Sequence, residues 1–345
     1  MATGRYPLGQ LFLMRLRALW REPSAIFWVF IFPMLLSIVL GLAFRNQTLR
    51  KLNVAVVESP GGAAVLQALS STPGLQTQVL PLPEARQALS RGKVALVVVA
   101  GPPPSLLVDP LVPEGRTAQL LAVDTLQRLA GRTDAIVLPE EHVSTPGRRY
   151  IDFLIPGLLG FGLMSSSVWG LGWGLVQMRT GKLLKRLVAT PMRKSDLLAS
   201  FILSRLLIAL VETAFFLTFA RLIFDVRVAG SLPSFLLVAA AGALSFGGLG
   251  LLVASRAQNS ETAGGLMNLA TLPMMVLSGV FFSASLFPGW MQPLVKALPL
   301  TAVIDALRAI SIDGTSVFTL GGPLLVLLVW GAATFLLALR LFRWS

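Results

Sequence analysis

Residues Ser24–Phe44 read SAIFWVFIFPMLLSIVLGLAF, an apolar run without a single charged side chain. A helix needs about 20 mostly apolar residues to cross a hydrocarbon layer about 30 Å thick, because lipid offers backbone amides no partner and each must be satisfied within its own helix. This run has that length. Downstream the chain turns polar from Arg45 to Arg149. It then becomes apolar again in five further runs, Asp152–Met178, Leu197–Phe224, Pro233–Ala254, Gly264–Ser283 and Leu320–Phe342. The spacing predicts a membrane α-helical fold with six transmembrane helices and an α/β domain inserted between helices 1 and 2.

Composition points the same way. Hydrophobic residues make up 54% of the chain and charged ones only 13%, against about 25% charged in a soluble domain. A net charge of +13 would suggest nucleic acid if the bases lay on a soluble domain, but much of it sits in short loops beside the apolar runs, so no nucleic-acid partner is expected. With no cysteine there is no disulfide, thiolate nucleophile or cysteine zinc site, and the inserted domain must fold on its core alone. Arg15, Arg17 and Arg21 precede the first run as bases precede a signal peptide. That run is too long, however, and ends without a small-x-small cleavage site, so it reads as a retained anchor.

Orientation follows from short-loop lysine and arginine, which favour the cytoplasmic side, whereas long translocated segments largely escape that bias. Arg5, Arg15, Arg17 and Arg21 precede the first run; Arg179, Lys182, Lys185, Arg186, Arg193 and Lys194 follow the second; Arg340 and Arg343 follow the sixth. Alternating spans put all of these on one side. The opposite loops are poor in bases: Asp225–Leu232 holds only Arg227, and Ala284–Thr319 only Lys296 and Arg308. The expectation is a multi-pass cell-membrane protein, of a bacterial inner membrane, with both termini cytoplasmic and residues 45–149 extracytoplasmic.

Within residues 45–149 short strand-like runs alternate with helical ones. Val54–Val57, Gln76–Leu80, Val94–Val99 and Leu106–Val108 read as strands, and Ala63–Leu69, Pro83–Ser90 and Arg116–Leu129 as helices. Thr145-Pro146-Gly147 marks the return to the membrane. Gly61-Gly62 after a strand lacks the spacing of a dinucleotide fingerprint and reads as a turn. Glu140-Glu141-His142 contains the chain's one histidine, without a second histidine or a cysteine to complete a metal site.

No nucleotide-binding loop is present. Gly181-Lys182 is followed by Leu183 and has Val176 where the first glycine belongs, and Gly92-Lys93 has Gln87 there. No serine elbow accompanies His142. The chain is therefore expected to be no enzyme, with no catalytic, cofactor-binding or metal-binding residues of its own.

The loop after the second run is the richest local signal. Lys182, Lys185 and Arg186 alternate with Leu183, Leu184, Leu187 and Val188 before Pro191, so one helical face is basic and the other apolar. Such a segment either rests on anionic lipid or docks in a cytoplasmic partner.

Four blocks then carry a family resemblance: Arg148-Arg149-Tyr150-Ile151-Asp152-Phe153-Leu154-Ile155-Pro156-Gly157, Leu184-Lys185-Arg186-Leu187-Val188-Ala189-Thr190-Pro191-Met192, Leu272-Pro273-Met274-Met275-Val276-Leu277-Ser278-Gly279-Val280-Phe281-Phe282, and Leu298-Pro299-Leu300-Thr301-Ala302-Val303-Ile304-Asp305-Ala306-Leu307-Arg308. In this order they resemble the membrane subunit of ABC-2 type transporters, and the likeness covers nearly the whole chain.

The resemblance implies an export permease. Its partners would be a cytoplasmic ABC ATPase subunit, which holds ATP and Mg, and a second permease subunit, either a copy or a paralogue. Membrane lipid and an unknown exported substrate complete the set. It implies a cytoplasmic amphipathic elbow helix in residues 1–23, with Leu8, Leu11, Phe12, Leu16 and Leu19 on one side and Arg15 intruding there. Residues 24–44 would be the first span, and residues 150–345 spans 2–6.

The resemblance further makes residues 182–189 a coupling helix, with Lys182, Leu184, Lys185, Arg186, Leu187, Thr190 and Pro191 facing the ATPase. Many relatives carry acidic residues just before it, where this chain has Gln177-Met178-Arg179-Thr180. Residues 287–310 resemble a re-entrant hairpin near the outer surface; an extracellular amphipathic loop is the alternative.

Two charges stand inside the third run. Glu212 falls near mid-membrane and Arg205 two turns nearer the cytoplasm on the same face, each costing about 2.5 to 3.5 kcal/mol at the bilayer centre. Arg205 has the length to snorkel inward. Glu212 faces either the transport path or a bond to a neighbouring helix. Close helix contact is expected at Gly170 and Gly174, or at Ala243 and Gly247, whose spacing of four permits near backbone approach, either within one subunit or between two.

Two other classes remain open on the residues alone: a membrane-anchored extracytoplasmic sensor or binding protein, and an ion-coupled carrier without an ATPase. Six spans exceed what anchoring needs, and no internal repeat of the carrier kind stands out.

Overall fold

The computed structural model describes residues 7–44, 51–57, 62–101, 104–110, 112–133, 149–183, 186, 194–257 and 259–341. The chain forms two compact units, Met1–Arg45 with Ser144–Ser345, and Asn46–Val143.

The unit Asn46–Val143 is an α/β sandwich. In chain order after three earlier helices (α1 Pro7–Trp20, α2 Pro23–Ile26 and α3 Phe32–Ala43) come β1 Leu52–Val57, α4 Gly62–Ser70, β2 Leu75–Leu80, α5 Leu82–Ser90, β3 Leu96–Val99, β4 Ser105–Val108 and α6 Pro113–Leu129. The strands lie in the order β2-β1-β3-β4, parallel except for the β3–β4 pair. Side chains alternate across a strand, so the continuous apolar runs of β1 and β3 serve two cores at once. Val54, Val56, Leu96 and Val98 pack with Leu69 of α4 and Ala118 and Ala122 of α6. Ala55, Val57 and Val97 pack with Ala85 of α5 on the opposite face. Parallel β1 and β2 need a crossover, which α4 supplies, and α5 does the same from β2 to β3.

The other unit is helical. After α3 it continues with α7 Tyr150–Thr180, α8 Lys194–Phe224, α9 Leu232–Arg256, α10 Ser260–Leu277, α11 Gln292–Ala297, α12 Pro299–Ser311 and α13 Gly321–Leu341. Among the described residues four helices, not six, are long and apolar enough to cross a membrane: Tyr150–Thr180, Ala199–Phe224, Leu232–Arg256 and Gly321–Leu341. The expectation of six spans is corrected at two places. The first run is divided, with a π turn at Phe27–Ile31 between α2 and α3, and leaves a shorter apolar helix, Phe27–Ala43. The fifth run stops at Leu277, and α10 carries Glu261 and Asn268 in its first half, which lowers its hydropathy.

Helix α7 is central: 78% of its apolar window is buried, against 17% for α13, which stands at the rim. A helix that is apolar all round and glycine-rich suits the centre of a bundle, where every face meets another helix. A close backbone approach joins α7 to α9. A Cβ on Gly172 would stand 2.9 Å from the Gly250 carbonyl, and one on Gly250 2.9 Å from the Val168 carbonyl. Ala243 and Gly247 also lie on packed surface, Gly247 against Leu171. Within this chain, among the described residues, Gly170 and Gly174 make no close contact: Gly170 has open space, and Gly174 meets Arg15 Nη2 at 3.8 Å. The tight seam is turned away from that pair to Gly172.

Residues after α10 fold back along the bundle. Turns at Ala284–Leu286 and Gly289–Met291 lead into α11, and Pro299 starts α12, whose residues from Pro299 to Ile304 are all buried. Ile304 lies against Gly160 and Val303 against Gly242, each contact so close that a Cβ on the glycine would fall 2.7 Å from the neighbour. Trp330 Nε1 donates to the Ala297 carbonyl at 2.8 Å. At about 1.5 Å per residue, these contacts lie about 15 Å along α7, α9 and α13 from the ends where those helices begin.

Candidate functional site

Two polar constellations stand out in the helical unit, one buried mid-helix and one where three of the quoted sequence blocks meet.

The buried one is built on α8. Arg205 and Glu212 are two turns apart, so they share a face, and that face packs against α7. Both are nearly inaccessible, at 4% and 3%. Arg205 does not snorkel: its Nη2 donates to Glu212 Oε2 at 3.2 Å, to the Ser166 hydroxyl at 2.8 Å and to the Leu163 carbonyl at 3.3 Å. The Ser166 hydroxyl lies 2.9 Å from Glu212 Oε2 and 2.6 Å from the Gly162 carbonyl, and its one hydrogen is shared between them. Arg205 Nε has no partner among the described residues. The charges thus offset each other's burial through direct pairing, with Ser166 as a third member supplied by a different helix. The run Ser165-Ser166-Ser167 inside an otherwise apolar helix was the signal for that member.

Gly162 makes room for this arrangement, since a Cβ there would stand 3.0 Å from Glu212 Oε1. Gly162 and Glu212 both line a small, mostly apolar pocket together with Leu158 and Leu159 of α7, Val29, Phe30, Pro33 and Met34 of the first apolar segment, and Phe215 and Phe216 of α8.

The second constellation lies where α7 begins. Arg149 makes a two-pronged bond to Asp152, Nη2 to Oδ1 at 2.8 Å and Nε to Oδ2 at 3.0 Å. Its Nη1 donates to the Phe224 carbonyl at 2.9 Å, satisfying the last turn of α8. The Asp152 hydrogen bond, above all, raises the Arg149 pKa.

Tyr150 donates from its hydroxyl to the Phe281 carbonyl at 3.0 Å. Arg308 of α12 sits over the Phe153 ring and donates to the Phe153 carbonyl at 3.2 Å and to the Gly279 carbonyl at 2.6 Å. Gly279 has φ +75, a left-handed conformation that glycine adopts without strain, and this turns its carbonyl toward Arg308. Gly157 allows the same approach, since a Cβ there would meet the Val280 carbonyl at 2.5 Å. The blocks around Arg149, Gly279 and Arg308 are therefore one junction in space. Their side-chain roles were invisible in sequence because the partners are 29 and 155 positions from Arg308.

At the opposite end of α7, Arg179 Nη1 donates to the Ala254 and Ala257 carbonyls at 3.0 Å each, capping α9, and Gln177 Nε2 donates to Ser260 Oγ at 3.3 Å. Helix α1 reaches this end through Arg15, whose guanidinium lies over the Phe201 ring and whose Nη2 lies 3.7 Å from Met178 Sδ. Burial without an acidic partner draws the Arg15 pKa down to about 9. The residue that interrupts the apolar side of this helix is thus one of its points of attachment to α8, beside the buried Leu11.

Of the basic segment, Lys182 lies in the turn after α7, at φ +58, with its side chain exposed. Arg186 is exposed and its N–H bonds the Lys182 carbonyl at 3.4 Å. Leu184, Lys185, Leu187, Thr190 and Pro191 lie outside the described residues, as do Gly61, Glu140, Glu141 and His142. No group of three or more His, Cys, Asp and Glu residues that could hold a metal is found among the described residues.

The sequence profile of ABC-2 family transporter proteins matches residues 23–340. The chain belongs to the ABC-2 transporter family. Similar proteins include the inner membrane transport permease YhhJ of Escherichia coli (strain K12), 25% identical over 173 residues, which are 50% of this chain and 46% of that one. ABC transporter G family member 20 of Dictyostelium discoideum is 27% identical over 171 residues, 49% of this chain and 23% of its own. The linearmycin resistance permease protein LnrN of Bacillus subtilis (strain 168) is 22% identical over 177 residues, 51% of this chain and 46% of its own. The chain spans less than half the length of these relatives. Its four membrane-length helices among the described residues agree with a multi-pass membrane protein of that family.

Proposed function

We propose that this chain is the membrane subunit of an exporter driven by a separate cytoplasmic ATPase, and that it works beside a second permease subunit. The observation that carries this reading is the family match over residues 23–340. Both termini and the segment 182–189 face the cytoplasm in this reading, and residues 45–149 face the opposite side. ATP and Mg belong to the partner chain. The resistance in one relative's name favours efflux.

In mechanical terms the ATPase moves segment 182–189, and α7 and α8, which flank it, carry the displacement. An ATP-bound partner shifts the helices only as far as it prefers one arrangement over the other. Helix α7 suits this role because it touches both the Arg205–Glu212 pair and the Arg149–Gly279–Arg308 junction. Residues 287–310 act as a re-entrant hairpin beneath that junction, a place where irregular backbone is tolerated because protein covers it.

The test is coexpression with the ATPase of a neighbouring reading frame. Copurification and ATP-dependent uptake into inverted vesicles are expected. Charge reversal at Lys185 and Arg186 should uncouple or dissociate the ATPase without preventing membrane insertion. Transport that persists without ATP, or labelling of position 185 from outside intact cells, would overturn the reading.

A further inference from the structure

Arg15 is a largely buried base without an acidic partner among the described residues. Its guanidinium lies over the Phe201 ring, and its Nη2 reaches Met178 Sδ, a weak acceptor, at 3.7 Å. Nε is sealed from solvent and has no partner among the described residues. Burial is the one cause that lowers its pKa, to about 9, so no carboxylate acts on it and it keeps its charge at neutral pH. A guanidinium offers five N–H donors, and the sulfur contact is the one hydrogen bond they make with a described residue. A buried cation in that state calls for an anion.

The open side of this group faces α7. A Cβ on Gly174 would meet Arg15 Nη2 at 3.8 Å and no other described atom within 4 Å, and Gly170, one turn away, has open space over it. Trp169 and Trp173, ring centroids 6.2 Å apart, stand along one side of the two glycines. Gln177 is three positions on from Gly174 and so shares its face. It is exposed, and its amide gives one hydrogen to Ser260 Oγ at 3.3 Å and has a second to give. Donors from two helices thus border the same uncovered strip.

The depth is that of lipid phosphate. Helix α7 has 31 residues, about 46 Å at 1.5 Å each, against about 30 Å of hydrocarbon, so about 8 Å stands clear at each end. Arg149 and Asp152 at its start and Arg179 at its finish keep it centred. Gly174 lies about 9 Å before its last residue, Thr180, and Met178 about 3 Å before it. The tip of Arg15 touches both, so it lies where hydrocarbon gives way to headgroups.

We propose that Arg15 and Gln177 bind the phosphodiester of one anionic phospholipid, whose acyl chain lies along Gly174 and Gly170 beside Trp169 and Trp173. Phosphate oxygens supply the charged acceptors that the chain itself withholds, and the planar guanidinium takes two of them at once. With segment 182–189 in the cytoplasm, the leaflet is the inner one. The lipid ties α1 to α7 as Phe201 ties it to α8.

Native mass spectrometry of the full chain, titrated in detergent with dioleoylphosphatidylglycerol, tests the site. One tightly held lipid is expected, and Arg15→Gln should weaken it about tenfold, the loss of a hydrogen bond to a charged group. Gly174→Leu fills the strip but leaves the charge; it should weaken the lipid as much, and it serves if Arg15→Gln does not fold. Arg17→Gln removes an exposed base from the opposite face of α1 and should leave the lipid in place. Lipid binding unchanged in Arg15→Gln and Gly174→Leu, or weakened as much by Arg17→Gln, overturns the proposal. So does displacement of the lipid by inorganic phosphate at equal concentration, which would make this a site for a free anion. Unchanged lipid binding with loss of ATPase copurification in Arg15→Gln would overturn it in favour of an acidic protein partner. The lipid titration needs no ATPase, so its failure leaves the export reading to the vesicle assay.

Discussion

Arg205 Nη2 and Glu212 Oε2 lie 3.2 Å apart on one helix, seven positions from each other, with both side chains buried among apolar helices. A pair of this kind is expensive to break and cheap to replace as a whole. Removing one partner leaves an uncompensated buried charge, at about 3–5 kcal/mol, whereas exchanging both for neutral groups of similar volume is often neutral. Arg205→Met should therefore lower thermal stability in nanodiscs sharply, Glu212→Gln less, and the double substitution should recover most of the loss. In the assembled complex Glu212→Gln should also change substrate-stimulated ATPase activity. Additive losses in the double variant would contradict a direct pair.

Arg308 holds α12 to α7 and to the turn after α10 through two carbonyls, Phe153 and Gly279, while stacking on the Phe153 ring. Lysine has neither the planar fork nor the flat face for this. Arg308→Lys should cost about 1–3 kcal/mol, the penalty for buried acceptors left unmade. Hydrogen–deuterium exchange should rise in residues 279–287 and at the start of α7, and unchanged exchange there would remove Arg308 from the junction.

The helix seam offers a matched comparison. Gly172→Leu would drive a side chain into the Gly250 carbonyl and should destabilise the chain by about 1–3 kcal/mol or more through overpacking. Gly170→Leu, two positions away and facing open space, should leave the stability of the isolated chain nearly unchanged. Thermal unfolding of the two variants side by side checks the register of α7 against α9.

Arg15 anchors α1 at Phe201 and beside Met178, so Arg15→Ala should loosen that helix by about 0.5–2 kcal/mol, the range of a cation–π contact. The readout is faster proteolysis within residues 7–21, with Phe201→Leu giving the same effect. Protection as in the unaltered chain would show that apolar contacts alone hold the helix.

The inserted unit was the most legible part of the chain. Its strands and helices are short and its periodicities local, so Val54–Val57, Gln76–Leu80 and Pro83–Ser90 fall inside elements that the structure contains. Strand order was not legible, because which strand lies beside β1 depends on crossovers that hydropathy does not encode. The apolar runs were legible as runs, and less so as spans. Local composition located Ser24–Phe44 and Gly264–Ser283, but the π turn before Pro33 and the stop after Leu277 depend on how the backbone winds and what it packs against.

Sequence alone determined that the chain is membrane-embedded, that a polar α/β module interrupts it, and that two opposite charges stand two turns apart on one helix face. Those properties follow from composition and from periods of 2 and 3.6, which each segment carries by itself. Only the tertiary structure decided that Arg205 bonds Glu212 rather than reaching for water, that Ser166 joins them, and that Arg308 meets Gly279 and Phe153. Those partners lie on different helices or far along the chain, and a buried polar group finds its bond in whatever packing brings near.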